Sequence, residues 1–270
     1  MNLQTVLGLL MIVALAACGS APASQTSTDG GSSSPIVWDR SPETIVFRAD
    51  VVGGSDADLL PALSEIPPCT VYGDNRVVWT NELGTYNTQV LWDRVTDDQI
   101  QTFITYLTIN KQIYGFEARG DLQPPGSAQP VVETLTVFVN GLEHRTDAFA
   151  GWDFDYYQDI LNQCRNISRA PVLYEPEAAW LTAQEVTYDS NVPLVPWDGK
   201  ASGLSLAELA ASGEPRWISG NNLRVLWNIV RTSPPRLQFI QDGVPYLIAL
   251  QVPGVTRQSP PAPAGSVNAG

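Results

Sequence analysis

The chain has 270 residues, 44% of them hydrophobic, so the region between its two ends can bury the core of one large domain or two small ones. Its 15 lysine and arginine residues stand against 28 aspartate and glutamate residues, which gives a net charge of −13. A chain this acidic repels phosphate backbones and anionic lipid headgroups. We therefore expect no nucleic-acid partner and no membrane attachment through a basic patch.

A short apolar segment lies near the N-terminus. Residues 6–17 (VLGLLMIVALAA) carry no charge, and they are too few to cross a hydrocarbon core of ~30 Å, which needs about 20 helical residues. They match the apolar region of a secretory signal peptide, which predicts a signal peptide over residues 1–17. The tetrapeptide that ends this run, Leu15-Ala16-Ala17-Cys18, resembles a bacterial lipobox. The alternative is an uncleaved apolar anchor with an incidental cysteine.

The resemblance to bacterial lipoproteins implies cleavage before Cys18 and acyl chains, typically palmitate, on the new N-terminal cysteine. Each buried CH₂ group contributes about 0.8 kcal/mol, so even two such chains hold a protein stably on a membrane. We therefore expect Cys18 to be lipidated. The expected location is extracytoplasmic, with the chain anchored to the cell membrane or the outer membrane.

Both ends of the mature chain have the composition of unfolded segments. Residues 18–34 are rich in glycine and serine, and such a tether has a root-mean-square reach of roughly 20–25 Å. Residues 257–270 contain three prolines and no large apolar side chain, which predicts a disordered tail. Folded structure is expected between residues 35 and 256.

Three cysteines are present, and lipid on Cys18 would leave Cys69 and Cys164. Disulfides persist outside the cytoplasm, so we expect these two residues to form a bridge; the alternative is two buried free thiols. No metal site and no cofactor are predicted, because His144 is the only histidine and no two cysteines lie close together in sequence.

The first half of the folded region predicts strands and two helices. Strands are expected at residues 44–52, 88–95, 134–139 and 142–149, with a hairpin at 70–80 that turns at Asp74-Asn75. Thr96 and Gln99 form a capping box, which predicts a helix from there to about Ile113. Asn140-Gly141 indicates a type I′ turn, and a second helix is expected from about residue 153 to 167.

The second half has a less regular pattern. A strand is predicted at residues 178–187 and a hairpin at residues 236–250, turning at Asp242-Gly243. Ser205 and Glu208 indicate a short capped helix, and Leu223, Leu226, Trp227 and Val230 mark another. Pro245 cannot donate to a strand ladder, so its strand is expected at a sheet edge or beside a bulge.

These elements predict an α+β fold, in which an antiparallel sheet is built from β-hairpins with packed helices. Three hairpins of similar form suggest two similar subdomains, expected at residues 35–169 and 170–256. The globular part looks like exported bacterial lipoproteins of uncharacterised activity, and that resemblance implies no reaction.

No catalytic residue is predicted, because the usual nucleophile, phosphate-loop and metalloprotease motifs are absent from the sequence. His144 falls on an apolar hairpin face, which favours a packed histidine over a catalytic base. Trp152, Asp153 and Asp155 could bind a sugar or a cation. Alternatively, the two acids occupy the first turn of a helix, where the helix dipole favours negative charge.

Two functions agree with these patterns. The first is a lipid-anchored, non-catalytic domain that binds an envelope protein, a glycan or another ligand. The alternative is an envelope glycan hydrolase that uses two carboxylates, as glycosidases do. Whether the chain is an enzyme stays open from the sequence, and the absence of catalytic motifs favours binding.

Overall fold

The computed structural model describes residues 36–54, 59–118 and 130–266 of the chain. The predicted signal peptide, the lipidation site Cys18 and the tether lie outside the described residues.

Seven strands form the first sheet: β1 (Ile45–Val52), β2 (Cys69–Tyr72), β3 (Arg76–Gly84), β4 (Asn87–Arg94), β5 (Val132–Val139), β6 (Leu142–Asp147) and β7 (Val172–Leu173). Their order across the sheet is β6-β5-β1-β2-β3-β4-β7, and every neighbouring pair is antiparallel. The strands predicted in this half are confirmed, with small shifts of their ends. The two-residue strand β7 was not predicted, because it is too short to show a period.

Five strands form the second sheet: β8 (Ala178–Glu185), β9 (Leu194–Pro196), β10 (Arg216–Ser219), β11 (Gln238–Gln241) and β12 (Val244–Gln251). Their order is β10-β8-β12-β11-β9, and β9 runs parallel to β11. The short strands β9 and β10 were not predicted. The first sheet, as far as the structure describes it, contains no parallel pair. The two sheets therefore differ in strand order and direction, and these do not show the similarity between two subdomains that the hairpins suggest.

The hairpin turns use residues that tolerate positive φ angles. Asn140 and Gly141 adopt φ angles of 54° and 73°, and Asp242 and Gly243 adopt 52° and 83°. Two successive residues with positive φ define a type I′ turn, whose twist matches that of the flanking strands. Both turns therefore lie where the sequence predicts them.

Pro245 lies in β12, which is a central strand and not the predicted edge strand. It pairs with Ile240 of β11, one residue beyond the hairpin turn, and its carbonyl accepts from Val186 N at 3.0 Å. The register between β12 and β8 begins only at the next residue, where Tyr246 pairs with Glu185. The missing N–H of Pro245 thus falls at the end of that ladder, where no strand hydrogen bond depends on it.

In the described ranges, five α-helices accompany the sheets: α1 (Asp97–Thr105), α2 (Tyr156–Arg165), α3 (Gly199–Ser202), α4 (Leu206–Ser212) and α5 (Gly220–Arg231). Both hydrogen bonds of the capping box between Thr96 and Gln99 are present at the start of α1. This helix ends earlier than predicted, because the chain widens into a π-helical turn at Tyr106–Asn110. Among the described residues, none of the helices has both the length and the hydropathy needed to cross a bilayer.

Two apolar clusters hold these elements together. In the first, α1 and α2 pack on one face of the first sheet, where the rings of Phe47 and Phe103 meet edge to face at 4.8 Å. In the second, Tyr72, Val78 and Val90 of the first sheet join the second sheet, α4 and α5. The first sheet therefore has buried residues on both faces. The predicted α+β class with antiparallel sheets is confirmed.

Cys69 and Cys164 lie at disulfide distance in the first cluster. Cys69 belongs to β2 and Cys164 to α2, their Cα atoms are 6.4 Å apart, and both side chains are buried. The bridge joins the sheet to the helix that covers it and closes a loop with a sequence separation of 95 residues.

We expect replacement of both Cys69 and Cys164 by alanine to lower the free energy of unfolding by about 3 to 5 kcal/mol, because the unfolded chain regains the entropy of an open loop of this length. Urea unfolding of the variant and of the wild type measures this difference. Alkylation of the denatured wild type without reductant, followed by mass spectrometry, should leave both thiols unlabelled. Labelling of both cysteines would contradict the bridge.

Candidate functional site

The residues that the sequence suggests for ligand binding lie just before α2. Trp152 is half-buried; its Nε1 donates to the Thr146 hydroxyl at 3.0 Å, and its ring stacks on Tyr156 with centroids 5.4 Å apart. Asp153 and Asp155 are exposed, and Asp155 precedes the helix without a capping hydrogen bond from its side chain. Ring packing accounts for Trp152, and the helix dipole favours Asp155 at the N-cap. The helix begins at Tyr156, later than predicted, so Asp153 precedes it and is not in its first turn. A ligand at this turn stays a prediction.

His144 is held in place by backbone carbonyl groups. Its Nε2 lies 3.0 Å from the carbonyl oxygens of both Ile113 and Phe116, and its ring meets Tyr114 at 5.0 Å. Since carbonyl oxygens only accept hydrogen bonds, Nε2 carries the proton and donates it. The packed position predicted for His144 agrees with these contacts. In the ranges described, no three histidine, cysteine or acidic side chains are grouped to hold a metal ion.

A cleft of about 860 Å³ lies where the C-terminal segment meets the first sheet. Side chains of β1, β2, β3 and β4 line it together with Trp217 of β10 and residues 252–254, 256–257 and 259–262. Its volume falls in the range of about 300–1,000 Å³ that is typical of small-molecule sites. We call this space the inter-sheet cleft.

Strand register determines which side chains face the cleft. Phe47 and Ala49 of β1 pack in the first apolar cluster, and side chains alternate between the two faces of a strand. Arg48 therefore points to the opposite face. It pairs directly with Thr70 of β2, and Tyr72 lies two residues further along that strand on the same face. The sheet thus places a guanidinium group, a threonine and a tyrosine next to one another.

Arg76 is buried in the wall of the cleft and fully engaged there. Its Nε donates to the Asp74 carboxylate at 2.7 Å and its Nη2 to the carbonyl of Pro42 at 2.8 Å. Its guanidinium also lies over the ring of Tyr72, 4.7 Å from the centroid. Arg94 reaches the same Asp74 carboxylate at 3.6 Å. The carboxylate of Asp74 is therefore already shared by two arginines.

Arg48 differs from Arg76 because it has no acidic partner. Among the described residues no carboxylate lies within 4.0 Å of it, and its one hydrogen bond goes from Nη1 to the carbonyl of Arg257 at 3.5 Å. Its Nε is buried and has no hydrogen-bond partner. A half-buried guanidinium without a counter-charge is uncommon, because burying a charge costs free energy unless it is paired.

Two hydroxyl groups beside Arg48 also lack partners. The hydroxyls of Tyr72 and Thr70 are buried; Tyr72 lies beside both Arg48 and Thr70, but neither hydroxyl reaches the full distance and angle of a hydrogen bond with an atom of the described residues. Burial raises the pKa of Tyr72, and the nearby charges of Arg48 and Arg76 oppose that rise. An unsatisfied buried polar group costs about 1–3 kcal/mol. Arg48 Nε and the two hydroxyls therefore lower the folding stability of the free protein at this place.

Arginine side chains are prominent in the lining of the inter-sheet cleft, and Arg48 is the one among them that pairs with no carboxylate of the described residues. Four arginines line it, and the carboxylates among its lining residues are two: Arg48, Arg76, Arg94 and Arg257 against Glu43 and Asp74. These four are a large share of the 15 basic residues in a chain whose net charge is −13. The rest of the lining includes flat apolar surface from Trp217, Pro260 and Pro261.

Arg257 joins the C-terminal segment to the first sheet. Its guanidinium donates to both oxygens of Asp50 at 2.9–3.1 Å, donates to the carbonyl of Val51 at 2.7 Å, and pairs with Glu65. Further along, the Trp180 indole donates to the carbonyl of Pro261 at 3.0 Å. The structure therefore differs from the predicted disordered tail as far as Ser266. Composition did not reveal these contacts, because they depend on a charge buried more than 200 residues earlier.

A second cavity of about 470 Å³ also has Arg257 in its wall, together with Arg231, Glu65 and Glu82. Arg231 donates from Nη2 to the carbonyl of Ser64 at 2.6 Å, and burial lowers its pKa to about 10, so it stays charged at neutral pH. Here two arginines meet two carboxylates and the charges balance. The inter-sheet cleft is larger and combines Arg48, which pairs with none of the described carboxylates, with Tyr72 and Trp217, so it is the better candidate site.

Comparison with known proteins found no matching family model, no similar curated protein and no similar solved structure. The candidate site thus depends on its own geometry. The sequence did not single out Arg48, Tyr72 or Arg76. The available signal was the pair Arg48 and Asp50, two charged residues in the middle of an otherwise apolar strand pattern.

We expect a chain that ends at Thr256 to unfold more easily than one that ends at Ser266, by about 2 to 4 kcal/mol, because Asp50 would stay buried without its partner. Chemical denaturation of the two truncated chains measures the difference. The point variant Arg257→Gln tests the ion pair alone and should account for most of the loss. Equal unfolding midpoints for all three chains would contradict this role of Arg257.

Proposed function

We propose that this chain is an exported lipoprotein, anchored to a membrane by acyl chains on Cys18, whose globular part is a non-catalytic binding domain. The observation that carries the binding role is the inter-sheet cleft, which has a ligand-sized volume and an arginine without a counter-charge. Its partner is a ligand, glycan or protein of the cell envelope.

The extracytoplasmic location is supported by two features that are far apart in sequence. The apolar run over residues 6–17 ends at the lipobox-like tetrapeptide, and the remaining cysteines, Cys69 and Cys164, lie at disulfide distance. Disulfides persist in oxidising compartments and are rare in the cytosol. Both features fit a chain that folds after export.

Carboxylate-based glycan hydrolysis has weaker support from the same cleft. A glycosidase needs two acidic groups that face each other, one of them free to donate a proton. Asp74, one of the two carboxylates lining the cleft, is occupied by Arg76 and Arg94. The other, Glu43, is hydrogen-bonded to the Ser41 hydroxyl. Binding without catalysis is therefore the function that this geometry supports best.

The anchor is tested by the variant Cys18→Ser in the producing bacterium. We expect most of the protein to move from the membrane fraction to the soluble fraction or to accumulate unprocessed, because serine lacks the thiol that accepts the lipid. Cell fractionation with immunodetection measures the distribution, and Ser20→Ala is the matched control that should stay membrane-bound.

Mass spectrometry of the purified wild-type protein should find Cys18 as the N-terminal residue with acyl chains attached. An intact Met1 with an unmodified Cys18 would contradict the anchor. That result would leave the binding role of the globular part untouched, because the cleft is formed by residues far from the N-terminus.

A further inference from the structure

We propose that the inter-sheet cleft binds a small organic anion, that Arg48 and Tyr72 hold its carboxylate or phosphate group, and that Trp217 packs against its ring-sized body. This inference rests on the proposed binding function and adds the chemical class of the ligand. It depends on three observations in the same cleft: the charge of Arg48, which pairs with no carboxylate in the described part of the chain, the adjacent Tyr72 hydroxyl, and the apolar lining.

Arg48 is suited to an oxyanion because its hydrogen-bonding capacity is largely unused. A guanidinium group has five N–H donors in a planar fork that matches a carboxylate or a phosphate. In Arg48 only Nη1 has a protein acceptor, and that contact is 3.5 Å long. Arg76, by contrast, has short bonds to Asp74 and Pro42. An incoming oxyanion would therefore be bound by Arg48, while Arg76 stays with Asp74.

Tyr72 can supply a further donor, with Thr70 next to it. Both lie on the strand that pairs with the strand of Arg48; Tyr72 lines the cleft, and Thr70 lies behind it as a buried neighbour of the Tyr72 hydroxyl. A bound oxyanion has several lone pairs and would accept from the Tyr72 hydroxyl as well as from the guanidinium. Binding would thus remove the cost of leaving these buried groups unsatisfied.

The apolar lining of the cleft favours an organic anion over a bare ion. Trp217, Pro260 and Pro261 present flat carbon surfaces that an inorganic phosphate could not use. An aromatic ring provides a large apolar contact area for a sugar or another ring. The cleft volume of about 860 Å³ also exceeds what a single ion fills.

Three sugars with the same six-membered ring separate the contribution of the anionic group from that of the ring. Glucuronate carries a carboxylate, glucose 6-phosphate carries a phosphate, and glucose is neutral. Isothermal titration of the purified full-length chain in a non-ionic detergent gives each Kd. We expect at least one charged probe to bind at least tenfold more tightly than glucose. The ratio between the two charged probes identifies the preferred oxyanion, and inorganic phosphate alone should bind more weakly than either.

Charge removal at Arg48 tests the proposed contact. In Arg48→Gln the Kd of the preferred charged probe should rise at least tenfold, because one charge-assisted contact is lost. In Arg48→Lys the loss should be smaller, since the charge remains but the planar fork does not. The matched control Arg224→Gln removes the same charge from an exposed position outside the cleft, and its Kd should equal that of the wild type.

The variant Tyr72→Phe separates binding from folding. Its stability in chemical denaturation should equal or exceed that of the wild type, because phenylalanine removes a hydroxyl that has no partner in the free protein. Its Kd for the charged probe should nevertheless rise severalfold. A purely structural tyrosine would lose stability and leave the Kd unchanged, and that pattern would overturn the role assigned to Tyr72.

The inference is overturned if neither charged probe binds at millimolar concentration, or if Arg48→Gln binds as the wild type does. If glucose binds as tightly as the charged probes, the binding role stands and the anionic class is wrong. The Cys18→Ser experiment tests membrane anchoring and does not depend on anion binding. The two proposals can therefore be contradicted separately.

Discussion

The alternation of side chains along β1 sets both the apolar core of the first sheet and the charged face of the cleft. Phe47 and Ala49 face α1 and α2, so Arg48 and Asp50 must face the other way. A shift of one residue would place both charges in the apolar cluster, which makes the register highly specific. Because β1 lies inside the sheet, between β5 and β2, these charges are partly or fully buried and need partners from elsewhere in the chain.

The C-terminal segment satisfies one of the two charges and leaves the other free. Arg257 pairs with Asp50, whereas Arg48 receives only a long contact to the carbonyl of Arg257. The same segment thereby encloses the cleft beside Arg48. Because salt at moderate concentration screens exposed charges within roughly 10 Å, the attraction between an anion and Arg48 acts only at short range. The overall charge of −13 would still repel large polyanions, so a local contact can select small anions.

Local features of the structure were predictable because their causes are local. The capping box of Thr96 and Gln99 and the type I′ turn at Asn140-Gly141 each depend on a few neighbouring residues. The α+β class follows from hairpin signals in the same way. Short strands such as β7 and β10 were missed, because they are defined by the strands they pair with rather than by a pattern of their own.

Residue patterns alone predict the lipobox-like segment, the main strands and helices, and the pairing of Cys69 with Cys164. Only the tertiary structure decided that Arg48, Thr70 and Tyr72 share a face, that Arg257 neutralises Asp50, and that Trp217 lines the same cleft. The reason is physical. Hydrogen-bonded turns and helix caps form between residues a few positions apart. The buried ion pair of Arg257 and Asp50 joins residues separated by 207 positions, so a local sequence pattern cannot predict it.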